Sequence, residues 1–313
     1  MKKIVIFGGG SGLSQLLKGL TQFPVDITAV VSVSDNGAST GKLREEFGIP
    51  AVGDITKVLM AMSTSSKEVK DLFTYRFAKE SSMSNHSIKN LIMTALLEQH
   101  KNFAKSLPIL CDLLDVKGKL LPLTEDNVDL IGVTKEGYEI IGEEQITQAK
   151  REIVELKYNK KVSVYPKVIE EVKKANLIIF SSGSLLTSVL PHAIVPELQE
   201  AIKTSKAKKM YICNMITQPG ETDNFTVSDH IKAIEKYIDK IDIVIANNSK
   251  LPKNMELLAK SEGKDQVIID EDKLNELGIH VIQDKLFKIE DGYIRHNSLK
   301  TAYHIFSYLI EGE

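Results

Sequence analysis

The chain has 313 residues, 42% of them hydrophobic and 26% charged, which is typical of folded globular proteins and excludes extended disorder. Its 40 lysines and arginines nearly balance 42 aspartates and glutamates, so the net charge is −2 and no broad cationic surface for nucleic acid is expected. No apolar run approaches the roughly 20 residues that span a bilayer, and the N-terminus lacks the apolar stretch of a secretion signal. These features predict a cytoplasmic protein without a membrane span.

Short β-branched runs alternate with helical patterns along most of the chain, which is typical of a parallel sheet with helices on both faces. The predicted strands are Lys3–Phe7, Asp26–Ser34, Leu177–Phe180, Met210–Asn214, Ile241–Ala246, Gln266–Ile269 and His280–Gln283. The predicted helices are Leu13–Leu20, Ile55–Ala61, Ile88–Glu98, Pro166–Lys174, Val195–Lys203, Asp229–Asp239, Asn254–Ser261 and Leu299–Ile310. We therefore predict an α/β fold that forms a single domain over residues 1–313.

One stretch, residues 117–159, breaks this alternation. It is rich in Thr, Val, Ile, Glu and Lys and is punctuated by glycines, which favours short antiparallel strands. We interpret it as a β-rich insertion or lid. A purely structural subdomain explains it equally well, because a sheet-rich insertion needs no ligand.

The loop after the first strand is the glycine turn Gly8–Ser14. Glycines let a backbone approach an anion closely, and a helix N-terminus supplies free N–H donors with a partial positive charge, so the turn suits a phosphate. The spacing is Gly-x-Gly-x-Gly, and Leu13 stands where the dinucleotide fingerprint needs Gly or Ala. Asp35 also lies 27 residues after Gly8 where about 20 is expected, which disfavours a nicotinamide-dependent oxidoreductase. A tight turn without a ligand is the alternative.

The loop after the second strand spans Ser34 to Arg44 and carries several hydroxyls, two cations and a carboxylate. It imitates a P-loop, but only three residues separate Gly37 from Gly41, and Leu43 replaces the magnesium-binding Ser or Thr. The remaining pattern suits a diphosphate, with Lys42 and Arg44 as cations and Asp35 able to take a divalent metal or a ribose hydroxyl. A plain turn is the competing interpretation of this segment.

Two further segments hold candidate polar groups. Asp54 precedes a predicted helix, where capping that helix is the commoner role of an aspartate. His86 and Asn90 are four residues apart and therefore share a helix face, and His86 could donate to an anionic or carbonyl group. A structural role for His86 is equally compatible with the spacing.

Two loops complete the set. One is the small-residue turn Ser181–Leu185, and the other is the long loop Asn214–Thr222, dense in amide and hydroxyl groups. A polar loop of that length in a compact domain is more often functional than idle, and its groups could recognise a base or a sugar. Near the C-terminus Arg295 could bind a phosphate, although a surface role is the alternative.

Six strings occur together in one order: IVIFGGGSGLSQLLKGL from Ile4, VSDNGASTGKLR from Val33, Gly53-Asp54-Ile55, HSIKNLIMTALL from His86, GSLLTSV from Gly183, and CNMITQPGETDNFTVSDH from Cys213. Over nearly the whole chain they resemble the bacterial gluconeogenesis factor family, the YvcK type. This family is the sister branch of the CofD-like 2-phospho-L-lactate transferases. The last string resembles the gluconeogenesis factor branch in particular.

The resemblance implies a three-layer α/β/α Rossmann-like core that binds a nucleoside diphosphate, with UDP-sugars as the ligands of the bacterial branch. It links the family to cell shape and wall metabolism on gluconeogenic carbon sources. In the transferase branch it implies a guanosine diphosphate ester as donor, with Mg²⁺ assisting. By position, phosphate contacts come from Gly9, Gly10, Ser11 and Gly12, a metal or ribose contact from Asp35, and polar contacts from Ser39, Thr40, His86, Asn90, Asn214 and Thr217.

Three departures from the family pattern weaken the case for metal-assisted catalysis more than the case for binding. The usual Asp-Asp-Gly-Gly has Asn36 and Ala38 at its second and fourth positions, and a neutral amide holds a hard dication less well. The usual His-x-x-Gly-Asn has Lys89 in place of glycine. The usual Gly-Pro-Gly-Ser-Leu begins Ser181-Ser182.

Two hypotheses follow: a nucleotide-sugar-binding regulator, and a magnesium-dependent 2-phospho-L-lactate transferase. The candidate nucleotide- and phosphate-binding residues are Gly9, Gly10, Ser11, Gly12, Asp35, Asn36, Ser39, Thr40, Lys42, Arg44, His86, Asn90, Gly183, Ser184, Asn214, Thr217, Gln218 and Arg295. The catalytic candidates are Asp35, Asp54 and His86, with Asp35 as the metal ligand. We also expect a homo-oligomer, and no nicotinamide cofactor.

Overall fold

The computed structural model describes residues 1–77, 83–290 and 292–311. Its first half contains β1 (Lys3–Gly8), α1 (Gly10–Leu20), β2 (Asp26–Val31), α2 (Ala38–Phe47), α3 (Gly53–Met62), α4 (Lys67–Thr74), α5 (Ile88–His100), α6 (Phe103–Leu113), β3 (Lys119–Pro122), β4 (Leu130–Thr134), β5 (Glu139–Ile141), α7 (Glu143–Ala149) and β6 (Ile153–Tyr158). This half supplies three strands of a central sheet and a separate small sheet.

The second half contains α8 (Pro166–Lys174), β7 (Leu177–Phe180), a π-helical turn (Leu185–Val189), α9 (Leu190–Ala193), α10 (Pro196–Thr204), β8 (Lys208–Ile212), α11 (Val227–Glu235), β9 (Ile243–Asn247), α12 (Lys253–Ser261), α13 (Glu271–Glu276), β10 (His280–Asp284), β11 (Phe287–Glu290), β12 (Tyr293–His296) and α14 (Ser298–Glu311). It completes the central sheet and adds the β11–β12 hairpin.

The central sheet has seven parallel strands in the order β10-β9-β8-β7-β1-β2-β3. The chain builds outward from β1 in one direction through β2 and β3, and in the other through β7 to β10. The order therefore reverses between β1 and β7, and ligands bind open α/β sheets at the carboxyl ends of the strands beside such a point. The predicted α/β fold with a parallel sheet is confirmed.

Two hydrophobic cores lie on opposite faces of this sheet. Along β1, Val5 and Phe7 belong to one core, whereas Ile4 and Ile6 belong to the other. Successive side chains of a strand point to opposite faces, so a strand that is apolar at every position can only be covered on both sides. No helix among the described residues is long and apolar enough to cross a bilayer.

The structure differs from the predicted elements in three places. Residues 266–269 form no strand, because their backbone groups bond to the loop after β8 and to the start of α11: Val267 N–H donates to the Met215 carbonyl and Val227 N–H donates to the Ile268 carbonyl, which leaves one isolated bridge to Ile216. The predicted Asp26–Ser34 strand ends at Val31, and Ser32 and Ser34 hydrogen-bond to each other. The turn after β2 becomes helical from Ala38 onward, so its hydroxyls lie on the first turn of α2.

The insertion is smaller than predicted. β3 pairs in parallel with β2 and forms the edge of the central sheet, so it does not belong to the insertion. The antiparallel part is the sheet β5-β4-β6 together with α7. The physical reason is the choice of pairing partner. The sequence of Lys119–Pro122 is compatible with a parallel edge strand or with one strand of a hairpin, and only the contact with β2 decides between them.

Candidate functional site

A cavity of about 320 Å³ opens at the carboxyl ends of β1, β7 and β8, beside the point where the strand order reverses. It brings together eight of the predicted binding residues, from four separate segments of the chain. These are Ser11, Gly12, Gly183, Ser184, Asn214, Thr217, Gln218 and Arg295. The rule that loops at strand ends collect ligand-binding groups therefore applies to this chain.

The glycine turn fits this cavity because two loops touch each other closely there. A methyl group on Gly12 would lie 1.9 Å from the carbonyl oxygen of Ser182, and one on Gly8 would lie 2.0 Å from the Ser181 hydroxyl. Any side chain at these positions would push the turn after β1 away from the turn after β7. The N-cap of α1 is Gly9, which has no side chain, and the first turn holds no acidic residue. The Asp54 carboxylate from α3 faces the Gly10 N–H, so the other N–H groups of this first turn are the ones suited to an anion.

The cavity walls are held by side-chain to backbone bonds. The Asn214 amide donates to the Gly183 carbonyl at 2.7 Å and accepts from the Gly183 N–H at 3.0 Å, so both ends of the amide are used. The Thr217 hydroxyl accepts from the Asp265 N–H at 2.9 Å. These two residues position the wall, and the bonds leave the Thr217 hydroxyl proton and the second N–H of Asn214 for other partners.

Glu221 holds the same wall through three hydrogen bonds. It was not among the predicted site residues. It accepts from the Ser184 hydroxyl at 2.7 Å, from the Gln218 side-chain amide at 2.8 Å and from the Leu186 N–H at 3.3 Å. Burial raises its pKa, and these hydrogen bonds oppose that rise. Since Ser184 Oγ also accepts from the Thr187 N–H, its hydroxyl acts mainly as a cap.

Two cations line the cavity, Arg295 as predicted and Lys264, which sequence reasoning missed. The Arg295 guanidinium lies over the Tyr293 ring, 5.4 Å from its centroid. His296 also lines the cavity, and burial lowers its pKa to about 4, so it is neutral at physiological pH. The hairpin β11–β12 thus places an arginine beside the glycine turn although 283 residues separate Arg295 from Gly12 in sequence.

The other side of the glycine turn is acidic. A methyl group on Gly9 would lie 2.6 Å from Asp54 Oδ2, and one on Gly53 would lie 2.5 Å from Asp35 Oδ2. Burial raises the pKa of Asp54; the Lys57 ammonium opposes the rise, and the Asp35 carboxylate adds to it. Asp54 lies in the first turn of α3 and is not its N-cap, so the capping interpretation is wrong.

A third carboxylate comes from the insertion. Glu143, at the start of α7, accepts from the Ser34 hydroxyl at 2.6 Å. Burial holds its pKa well above its usual range, and Asp54 and Asp35 add to that effect. Sequence reasoning missed Glu143 because 108 residues separate it from Asp35 and no local motif marks it.

The hydroxyl turn after β2 is joined to the start of α5. Ser39 Oγ lies 2.9 Å from His86 Nδ1 and accepts from the Asn90 amide at 3.4 Å. The Thr56 hydroxyl donates to Asn90 Oδ1 at 2.7 Å, and the Lys89 ammonium donates to Thr56 Oγ1 at 2.9 Å. Burial lowers the pKa of Lys89 to about 8. Three predicted residues, Ser39, His86 and Asn90, therefore meet, and two unpredicted ones complete the network.

Two predicted binding residues bond elsewhere, and two more do not line the cavity. The Asn36 side chain accepts from the Glu144 N–H at 3.1 Å and donates to Gln145, so it holds the N-terminus of α7. The Arg44 guanidinium donates to Asp129 at 2.9 Å and to Asn127. Lys42 is exposed on α2, and the buried Thr40 packs against Gly53.

Asp35 and Asp54 are the residues that fit a divalent cation. Mg²⁺ is usually bound by one or two carboxylates together with waters and ligand phosphates, and these two carboxylates lie close enough to influence each other. Asn36 contributes nothing, since both ends of its amide bond to the insertion. Within residues 1–77, 83–290 and 292–311, no group of three His, Cys, Asp or Glu side chains could hold a metal ion by itself.

A doubly wound parallel sheet with a glycine turn and a cavity at its reversal point defines a Rossmann-like α/β protein. The sequence model of 2-phospho-L-lactate transferase CofD matches residues 4–287, and the chain belongs to this family. It is 40% identical over 309 residues to a putative gluconeogenesis factor of Thermotoga maritima, covering 96% of this chain and 97% of the relative. It is 38% identical to the gluconeogenesis factor of Bacillus subtilis, covering 96% of each.

The crystal structure of a UPF0052-family protein from Bacillus halodurans aligns with a TM-score of 0.94 at 38% identity. The alignment covers 97% of this chain and 99% of that one. The resemblance drawn from the six strings is thus confirmed at the level of the family.

Proposed function

We propose that the protein is a gluconeogenesis factor that binds a nucleotide sugar of the UDP-sugar class. It would act in the cytoplasm as a regulator of cell shape and wall metabolism during growth on gluconeogenic carbon sources. The names of the relatives support the assignment as a gluconeogenesis factor. The observation that carries the proposal is a cleft along the carboxyl edge of the sheet, formed by two adjoining cavities with polar and charged groups in their walls.

The cleft has two parts that share Thr217 and Lys264. The first is the cavity at the glycine turn, and the second is a cavity of about 740 Å³ at the ends of β9 and β10. Small-molecule sites are typically clefts of about 300–1,000 Å³. An elongated ligand with anionic and polar ends suits such a pair better than a compact metabolite does.

The distribution of charge in the two cavities indicates which part of the ligand each cavity would bind. The α1 N-terminus, Arg295 and Lys264 surround the first cavity, which suits the diphosphate. The second cavity combines apolar walls such as Phe225 and Leu251 with amides such as Asn248, which suits a base or a sugar ring. We assign the diphosphate to the first cavity and one end of the ligand to the second.

The second candidate function is a magnesium-dependent transfer of a phosphoester group from a nucleoside diphosphate donor. The specific observation in its favour is the cluster of Asp35, Asp54 and Glu143 beside the glycine turn. A bound Mg²⁺ would neutralise charge on the diphosphate. Asp35 and Asp54 would hold it, and burial raises the pKa of Glu143, which favours its neutral form.

Calorimetric titration with UDP-N-acetylglucosamine tests the proposal. We expect saturable binding with and without Mg²⁺, and weaker binding of UMP, which lacks the second phosphate. Absence of binding to this and other nucleotide sugars contradicts the proposal. Release of GMP from a guanosine diphosphate ester of phospholactate, lost in Asp35→Ala, would favour the transferase instead.

A further inference from the structure

Five buried polar side chains form one connected line beneath the hydroxyl turn. The line runs from Lys89 through Thr56, Asn90 and Ser39 to His86, with heavy-atom distances of 2.9, 2.7, 3.4 and 2.9 Å. It joins α5, α3 and α2. Lys89 is only 7% exposed although it is a lysine, so its ammonium has little access to water and hydrogen-bonds within this network.

One end of the line, Lys89, can only donate. Thr56 Oγ1 lies 3.0 Å from the Gly53 carbonyl oxygen and 2.7 Å from Asn90 Oδ1, so its one proton has two acceptors and the direction is set by the Lys89 ammonium itself. An ammonium has three N–H donors and no acceptor, so Lys89 must donate to Thr56 Oγ1. Asn90 Oδ1 also lies 3.5 Å from Lys89 Nζ. If the Asn90 amide were flipped, its NH₂ group would face the ammonium and two donors would oppose each other. The Lys89 charge therefore fixes the Asn90 oxygen toward Thr56 and the Asn90 nitrogen toward Ser39.

The orientation of the Asn90 amide affects the tautomer of His86. Asn90 Nδ2 donates to Ser39 Oγ, and in the described part of the chain the other hydrogen-bond partner of this buried hydroxyl is His86 Nδ1, which therefore accepts the Ser39 proton. A neutral imidazole that accepts at Nδ1 carries its proton at Nε2. We infer that Lys89 is a positioning residue that sets the tautomer of His86, so that the ring presents Nε2–H as a hydrogen-bond donor to an anionic ligand.

The use of that donor by a phosphate rests on the proposed function, but the tautomer itself does not. Without Lys89 the Asn90 amide can turn round. Its oxygen would then accept from the Ser39 hydroxyl, and Ser39 would accept a proton from His86 Nδ1–H. The substitution Lys89→Met keeps a long, buried side chain and removes only the donor.

The experiment is a two-bond ¹H–¹⁵N correlation spectrum of protein labelled at histidine, recorded on the unliganded chain at pH 7.5, with the His86 signals assigned by loss in His86→Gln. The expected result is a predominantly Nε2–H ring in the wild type and a mixed or Nδ1–H ring in K89M. Lys57→Met is the matched control, because Lys57 bonds Asp54 and lies outside the line; it should leave the tautomer unchanged.

Ser39→Ala gives an independent check that does not alter the buried charge. It removes the group that donates to His86 Nδ1, and we expect the Nε2–H preference to fall. Nδ1–H in the wild type, or an unchanged spectrum in both K89M and S39A, overturns the inference. The spectrum is recorded without ligand. A failure of nucleotide-sugar binding would therefore contradict the proposed function and leave the assignment of the His86 tautomer unaffected.

Discussion

The carboxylate of Asp54 lies against Gly9, so closely that a methyl group on Gly9 would come within 2.6 Å of Oδ2. The Gly10 N–H also bonds Asp54 and counteracts the rise in its pKa. Part of the positive end of α1 is therefore already matched by a carboxylate of the protein itself. A ligand phosphate bound at this turn would lie beside the carboxylate, so we expect both the cations of the chain and a dication to affect its affinity.

Replacing Asp54 by Asn should strengthen binding of UDP in the absence of Mg²⁺. Removal of a negative charge at a helix N-terminus changes an anion's binding by about 0.3–1 kcal/mol, or roughly two- to fivefold. Calorimetry with UDP in EDTA measures this, and any enhancement by Mg²⁺ should shrink. Asp71→Asn, an exposed aspartate on α4, serves as control. Weaker metal-free binding in D54N would contradict the prediction.

Replacing Arg295 by Gln should weaken nucleotide-sugar binding, because Arg295 is one of the two cations that line the first cavity. Loss of a charge-assisted hydrogen bond costs about 1.5–3 kcal/mol, or roughly 10- to 150-fold in the dissociation constant. The exposed Arg151 gives the matched control, Arg151→Gln. Equal affinities of R295Q and the wild type would show that Arg295 is a surface residue only.

Replacing Gly12 by Ala should destabilise the protein and abolish binding together. The new methyl group would meet the Ser182 carbonyl at 1.9 Å, and both partners are fixed by α1 and the turn after β7. Overpacking of this kind costs about 1–3 kcal/mol, which urea denaturation detects. Ser11→Ala, at an exposed neighbouring position, should leave stability nearly unchanged.

Replacing Asn36 by Ala should loosen the insertion rather than remove a ligand contact. Asn36 satisfies the Glu144 N–H at the start of α7, and loss of such a cap costs about 0.5–2 kcal/mol. Hydrogen exchange should show faster exchange in α7 and β5, with the central strands unaffected. Uniform protection in N36A, combined with a large loss of affinity, would restore Asn36 to the binding residues.

Lys89 should make stability rise with pH between about 8 and 10. Its pKa falls from an ordinary 10.5 to about 8 on folding, so the unfolded chain binds more protons across this interval. Below pH 8 both states are protonated and the cost of the buried charge is constant. Urea denaturation at several pH values should therefore show a rise that is smaller in Lys89→Met. The exposed Lys105 on α6 gives the control: Lys105→Met should retain the rise. An identical pH dependence in K89M would refute the assignment.

The sequence by itself determined the parallel sheet, the glycine turn and the family. Val5 and Phe7 alternate with Ile4 and Ile6, and this local pattern forces burial on both faces wherever the strand lies. The turn after β1 could also be predicted from the sequence, because the backbone geometry of Gly8 to Gly12 depends on the glycines themselves.

Only the tertiary structure decided which polar side chains reach the site. Asn36 and Arg44 carry suitable chemistry, yet they bond α7 and the segment before β4. Glu143 and Lys264, which no local motif marks, come to the glycine turn or its cavity from distant segments. Hydrogen-bond partners of long polar side chains are chosen by contacts between segments far apart in the chain, and a sequence pattern of a few residues contains no information about those contacts.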